Sequence, residues 1–210
     1  MGKLSEEDIL KNNELVDKLV DKIALVDNSR GSMLRYVLSD LKLEYLLAPA
    51  SSREDHHCCF PGGLVQHSLN VTSNLYKITK AMAPGRWQEA ELIFLGLVHD
   101  LGKCGDGENL YYVPNPSDWH RNKGMLYEVN KKCAYMPIQE RSLYLLQKYG
   151  ITLSAEEYLA IRLHDGAYLE ENKPYMQKEP DLAILIHWAD RWSCAQEKKE
   201  FGSIEISPAS

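Results

Sequence analysis

Apolar residues return every three or four positions along most of the chain, the period of a helix with one buried face. Ser5 followed by Glu6, Glu7 and Asp8 predicts a first helix start, with Ile9, Leu15, Leu19, Ile23 and Val26 as its apolar stripe. A second helix is expected over Ser32–Leu47, with Leu34, Val37, Leu38, Leu41 and Tyr45 on one side and Pro49 as its stop. After a loop over 50–63 comes a third helix, Leu64–Met82, broken by Pro84-Gly85. The fourth, Trp87–Leu101, is apolar almost all round, which predicts a central, buried helix. Pro137 opens a fifth to Tyr149, and the capping box Ser154-Ala155-Glu156-Glu157 opens a sixth to His164. Asp181 opens the last, through Lys198.

Only 102–135 departs from this period. It is rich in Gly, Asn, Pro and Tyr, and Tyr111–Val113 and Met125–Tyr127 are expected to pair as a small hairpin. The pattern therefore predicts an all-α helical bundle with a small hairpin and loop insertion. Residues 1–48 are expected to pack as N-terminal helices on a main domain over 49–201, with a frayed tail at 202–210.

Composition narrows the class. The chain has 210 residues, of which 44% are hydrophobic and 26% charged, as in an ordinary soluble globular protein. The formal net charge of −6 argues against a long nucleic acid held on a broad basic face, while leaving room for a small phosphorylated ligand in a locally positive pocket. The five cysteines form no CxxC pair, the start carries no apolar leader, and the apolar run Leu92–Val98 is too short to span a membrane. Reduced thiols in a cytoplasmic protein are the expectation.

Three places put polar groups where the pattern asks for apolar ones. His67 shares the face of Leu64, Val71, Leu75 and Ile78; alone, such a His is more often a hydrogen-bonded core residue than a ligand. His99 and Asp100 close the most apolar helix of the chain. Asp190 follows Leu182–Ala189, where little is polar. A buried carboxylate needs compensation, and a salt bridge serves, with Lys103 one turn from Asp100 and Arg191 beside Asp190. A divalent cation serves the carboxylates and the imidazoles together, and bundles build metal sites from facing helices in this way.

His67, then His99-Asp100, then Asp190 resembles the H…HD…D signature of the HD-domain superfamily. Phe60–Leu69 is similar to the segment that carries the first His, and Leu97–Lys103 to the HDxGK form; the resemblance covers about residues 55–193. It implies a metal-dependent phosphohydrolase, with His67, His99, Asp100 and Asp190 holding one divalent transition metal. Two imidazoles and two carboxylates suit Mn, Fe, Co, Ni or Zn, and Mg less well. Two-metal relatives carry a further His where this chain has Ile138, so one metal is expected. Asp100 is expected to orient the attacking water, Lys103 to meet a phosphate, and His164 to contact phosphate or act as general acid. His57, Arg53 and His120 are the remaining candidates for substrate contact, and His187 for support behind the metal ligands.

The expected substrate is a small nucleotide: monoester, triphosphate, or a cyclic or short diester. The alternative is a catalytically silent HD-fold nucleotide sensor or interaction module.

Overall fold

A computed structural model of the chain describes residues 4–201. The architecture is all-α apart from one two-stranded pairing. Helix α1 (Glu6–Val26) starts at Ser5, whose hydroxyl accepts the Asp8 amide while the Asp8 carboxylate accepts the Ser5 amide. This reciprocal cap satisfies two of the amides that a helix start leaves free. Asp27 closes α1 and opens α2 (Asn28–Asp40), its carboxylate taking the Arg30 amide at 2.9 Å. The expected second helix therefore starts four residues early, at a cap. It also breaks at Leu41, and α3 (Lys42–Leu47) follows. The break leaves Leu41 and Tyr45 both in the core, with Asp40 outside it, accepting the Tyr149 hydroxyl at 2.5 Å.

The stripe of α1 is also corrected. Val16, Val20 and Ile23 are its buried residues, whereas Leu15 is 47% exposed and Val26 61%. The face that meets α2 and the later helices Gly63–Met82 and Glu89–Val98 is rotated from the expected one.

Three more helices position the site: α4 (Gly63–Met82), α5 (Glu89–Val98) and, last in the chain, α9 (Asp181–Phe201). Gly62, at φ 81°, sets the entry to α4 in a conformation that a side-chain-bearing residue would hold under strain. Helix α5 is buried continuously from Leu92 to Val98, as its sequence predicts. Each fully buried Leu or Phe there stabilises the fold by roughly 1.5–3 kcal/mol. It ends three residues before the expected Leu101, and Leu101–Lys103 forms a 3-10 turn instead. A Cβ on Gly96 would lie 2.3 Å from Thr72 Oγ1, so α4 and α5 cross almost backbone to backbone.

The insertion contains β1 (Tyr112–Pro114), α6 (Asp118–Asn122) and β2 (Tyr127–Val129). The strands are antiparallel with Tyr112 opposite Val129. The strands lie later in the chain than the expected segments Tyr111–Val113 and Met125–Tyr127, and Met125 forms an isolated bridge to Arg53. Helices α7 (Ile138–Lys148) and α8 (Ala155–Leu163) complete the bundle: α7 packs on the 3-10 turn, and α8 on α9 and α5. Within the expected loop after His164, Glu170–Tyr175 is a further 3-10 helix. The tail expected at 202–210 lies outside the described residues. Among the described residues, no helix is long and apolar enough to cross a membrane.

Candidate metal centre

The ends of α5 and α8 meet the second turn of α4 and the middle of α9, and each delivers a side chain to one point. His99 caps the C-terminal end of α5 and His164 that of α8. A helix end leaves carbonyls without partners, and both rings use one. His99 Nδ1 donates to the Gly96 carbonyl at 2.9 Å, and His164 Nδ1 to the Ile161 carbonyl at 2.8 Å. A carbonyl can only accept, so Nδ1 carries the proton and Nε2 is turned inward. Ser142 of α7 fixes the turn between them. Its hydroxyl donates to the His99 carbonyl at 2.8 Å and accepts the Gly102 amide at 2.8 Å.

Four of the sequence candidates, His67, His99, Asp100 and Asp190, converge with His164, and all five are buried. Asp100 Oδ2 lies 3.6 Å from His67 Nε2 and 3.5 Å from His99 Nε2, and Oδ1 lies 3.4 Å from His164 Nε2. Asp190 Oδ1 lies 3.0 Å from His67 Nε2. One ligand atom each from His67, His99 and Asp190 falls within 4.8 Å of the others, as it does for His99, Asp100 and His164.

The charges are coupled. Burial opposes the His67 cation, but Glu197 and Asp190 outweigh it and push the pKa up to about 10. Burial pushes His99 down to about 4, with His164 and His67 adding to it against Asp100. His164 rises to about 9 against its own burial, held up by Asp165 and Asp100. Against burial, Lys103 and then His99 hold Asp100 well below the usual carboxylate range. Lys103 Nζ in fact pairs with Asp100 Oδ2 at 2.6 Å, so that carboxylate has a cation already. The imidazoles do not have the partner they need. His67 Nε2 and His99 Nε2 are buried without a hydrogen bond, with Asp190 Oδ1 standing 3.0 Å from His67 Nε2 as its charged neighbour. A buried polar atom left unpaired costs about 1–3 kcal/mol. Two such nitrogens facing two carboxylates form a donor set that fits a divalent transition ion.

Two residues of this centre escaped the sequence reading. Glu197, fully buried, accepts His67 Nδ1 at 3.0 Å, and Asn70 Nδ2 donates to the same carboxylate at 2.9 Å. A carboxylate behind a metal-facing His fixes its tautomer and raises its basicity. The available signal was spacing: Glu197 is two helical turns after Asp190, and Asn70 one turn after His67.

The other candidates divide. The His57 ring lies 4.6 Å from that of His67, and its Nε2 is buried without a partner. His187 Nδ1 donates to the His164 carbonyl at 2.7 Å, bonding backbone and bracing His164 at once. Arg53 is not brought to the centre; its guanidinium holds Asp55 at 2.9 and 3.0 Å. His120 packs against Trp119 on α6, the ring centroids 5.0 Å apart. No family model, no curated protein and no solved structure matches this chain.

Proposed function

We propose that the protein is a metal-dependent phosphohydrolase of the HD-domain kind, acting on a phosphoester of a small nucleotide. The observation that carries this reading is the pair of buried, unpartnered nitrogens, His67 Nε2 and His99 Nε2, beside Asp100 and Asp190. These four residues would hold the ion. A bound divalent ion such as Mn²⁺ would supply Lewis acidity, polarising a phosphoryl oxygen and lowering the pKa of water.

The remaining work falls to the chain's own groups. Asp100 Oδ1, which faces His164 Nε2 at 3.4 Å rather than His67 and His99, is the oxygen that would orient a water. His164 Nε2 holds a proton at neutral pH, which suits it to protonate a leaving oxygen. Lys103 sits beside Asp100 as a point charge for a phosphate oxygen. Burial pushes His57 down to about 3, so it faces the centre as a neutral donor or acceptor.

The test is release of phosphate or nucleoside from mono-, tri-, cyclic and short oligonucleotides with added Mn²⁺, for the native chain and Asp100→Ala. Turnover by the native chain alone supports the reading and identifies the substrate class. Bound metal and tight nucleotide binding without turnover would replace it with a silent nucleotide sensor.

A further inference from the structure

Two further potential ligands, His57 and Cys194, lie beside His67 and outside the first donor set. His57 comes from the loop before α4, and its Nε2 is buried with no hydrogen bond. Cys194 lies one turn after Asp190 on α9, and its thiol reaches to 3.5 Å from Asp190 Oδ1. One ligand atom each of His57, His67 and Cys194 lies within 4.8 Å of the others. The second nitrogen of His67 is the same one that serves the first donor set, since Nδ1 is given to Glu197. A single lone pair binds a single ion. The two donor sets are therefore alternative seats for a cation, sharing His67.

They differ in softness. The first offers nitrogen and carboxylate oxygen, and the second two nitrogens and sulfur. Thiolate selects thiophilic ions such as Zn²⁺ and Co²⁺, while carboxylate-rich sets suit Mn²⁺ and Mg²⁺. The Cys194 thiol is buried and is not consumed by a disulfide.

We infer that His57, His67 and Cys194 form a second, sulfur-bearing seat for a thiophilic divalent cation, so that the kind of ion decides which seat is filled. This rests on the metal-centre reading above. Coordination releases the thiol proton to solvent and leaves sulfur as the ligand. It takes His67 from the first set, so a Zn²⁺ ion in the second seat would hold the enzyme idle while Mn²⁺ in the first would not.

The probe is Co²⁺ added to the full-length metal-free chain and followed by absorption. Visible d–d bands report cobalt held by protein ligands, and a near-ultraviolet sulfur-to-cobalt charge-transfer band reports thiolate. The expected result is both signals in the native chain, loss of the near-ultraviolet band in Cys194→Ser with visible bands retained, and no loss in Cys58→Ser. Circular dichroism of each variant checks the fold. Visible bands without the charge-transfer band overturn the second seat and leave the first standing. A charge-transfer band that survives in Cys194→Ser assigns the sulfur elsewhere and also overturns it. No visible band at all overturns both.

Discussion

At the residue scale, the roles separate by what each side chain has for a partner. His67 is held from behind by Glu197 and Asn70, while its other nitrogen is unmet. Replacing Glu197 with Ala should therefore weaken metal binding by about 10–100-fold, as read by competition with a chelating dye, with little change in secondary structure. The same residue sets a pH dependence. The metal-free chain holds a proton on His67 up to about pH 10, above the ordinary range near 6.5. That proton stabilises the metal-free fold fully below about pH 6.5, and its contribution is lost as pH rises through about 10. An incoming ion must displace it, so metal affinity should rise with pH over this window. Calorimetry in buffers of different ionisation enthalpy would detect the released proton, and a heat independent of buffer would contradict this. His67, His99, Asp100 and Asp190 were legible because each is polar amid apolar neighbours. Glu197 was not, because it sits in the polar run Gln196–Glu200, where a charge is unremarkable and only its spacing marks it.

At the element scale, the centre depends on helix ends held in register. The turn from α5 into Leu101–Lys103 is hydrogen-bonded to α7 by Ser142, through the His99 carbonyl and the Gly102 amide. Ser142→Ala leaves a buried carbonyl and a buried amide with one partner fewer. It should cost about 1–3 kcal/mol in denaturant unfolding and reduce metal affinity as well; a variant with unchanged midpoint and affinity would show that the tie is dispensable. Caps were the readable part of the elements. Ser5 and Ser154 start α1 and α8 as their spacing to Asp8 and Glu157 predicts. The break at Leu41 was hidden, since Leu38, Leu41 and Tyr45 continue an unbroken helical period across it. The exact bounds of β1 and β2 were hidden for a different reason: Met125 pairs with Arg53, far away in sequence, rather than with β1.

At the scale of the whole molecule, four helices remote in sequence are stapled through one point. A ligand that binds only this arrangement stabilises the fold by mass action, about 2.7 kcal/mol at a hundredfold excess over Kd. Thermal unfolding should therefore shift upward with Mn²⁺ and return to its starting value with a chelator. The all-α class was readable from periodicity because nearly every segment repeats at the helical spacing. The meeting of α4, α5, α8 and α9 was not contained in any single segment; it depends on close crossings such as Gly96 against Thr72.

The most direct test of the central claim is elemental analysis of the purified chain beside its His67→Ala and His99→Ala variants. Supplied with Mn²⁺, which the nitrogen and carboxylate set suits, the native chain is predicted to hold one such ion, absent from both variants while their helical content persists. A native chain that takes up no such ion when it is offered in excess, or variants that bind it as well as the native chain, would contradict the metal centre and with it the proposed hydrolase.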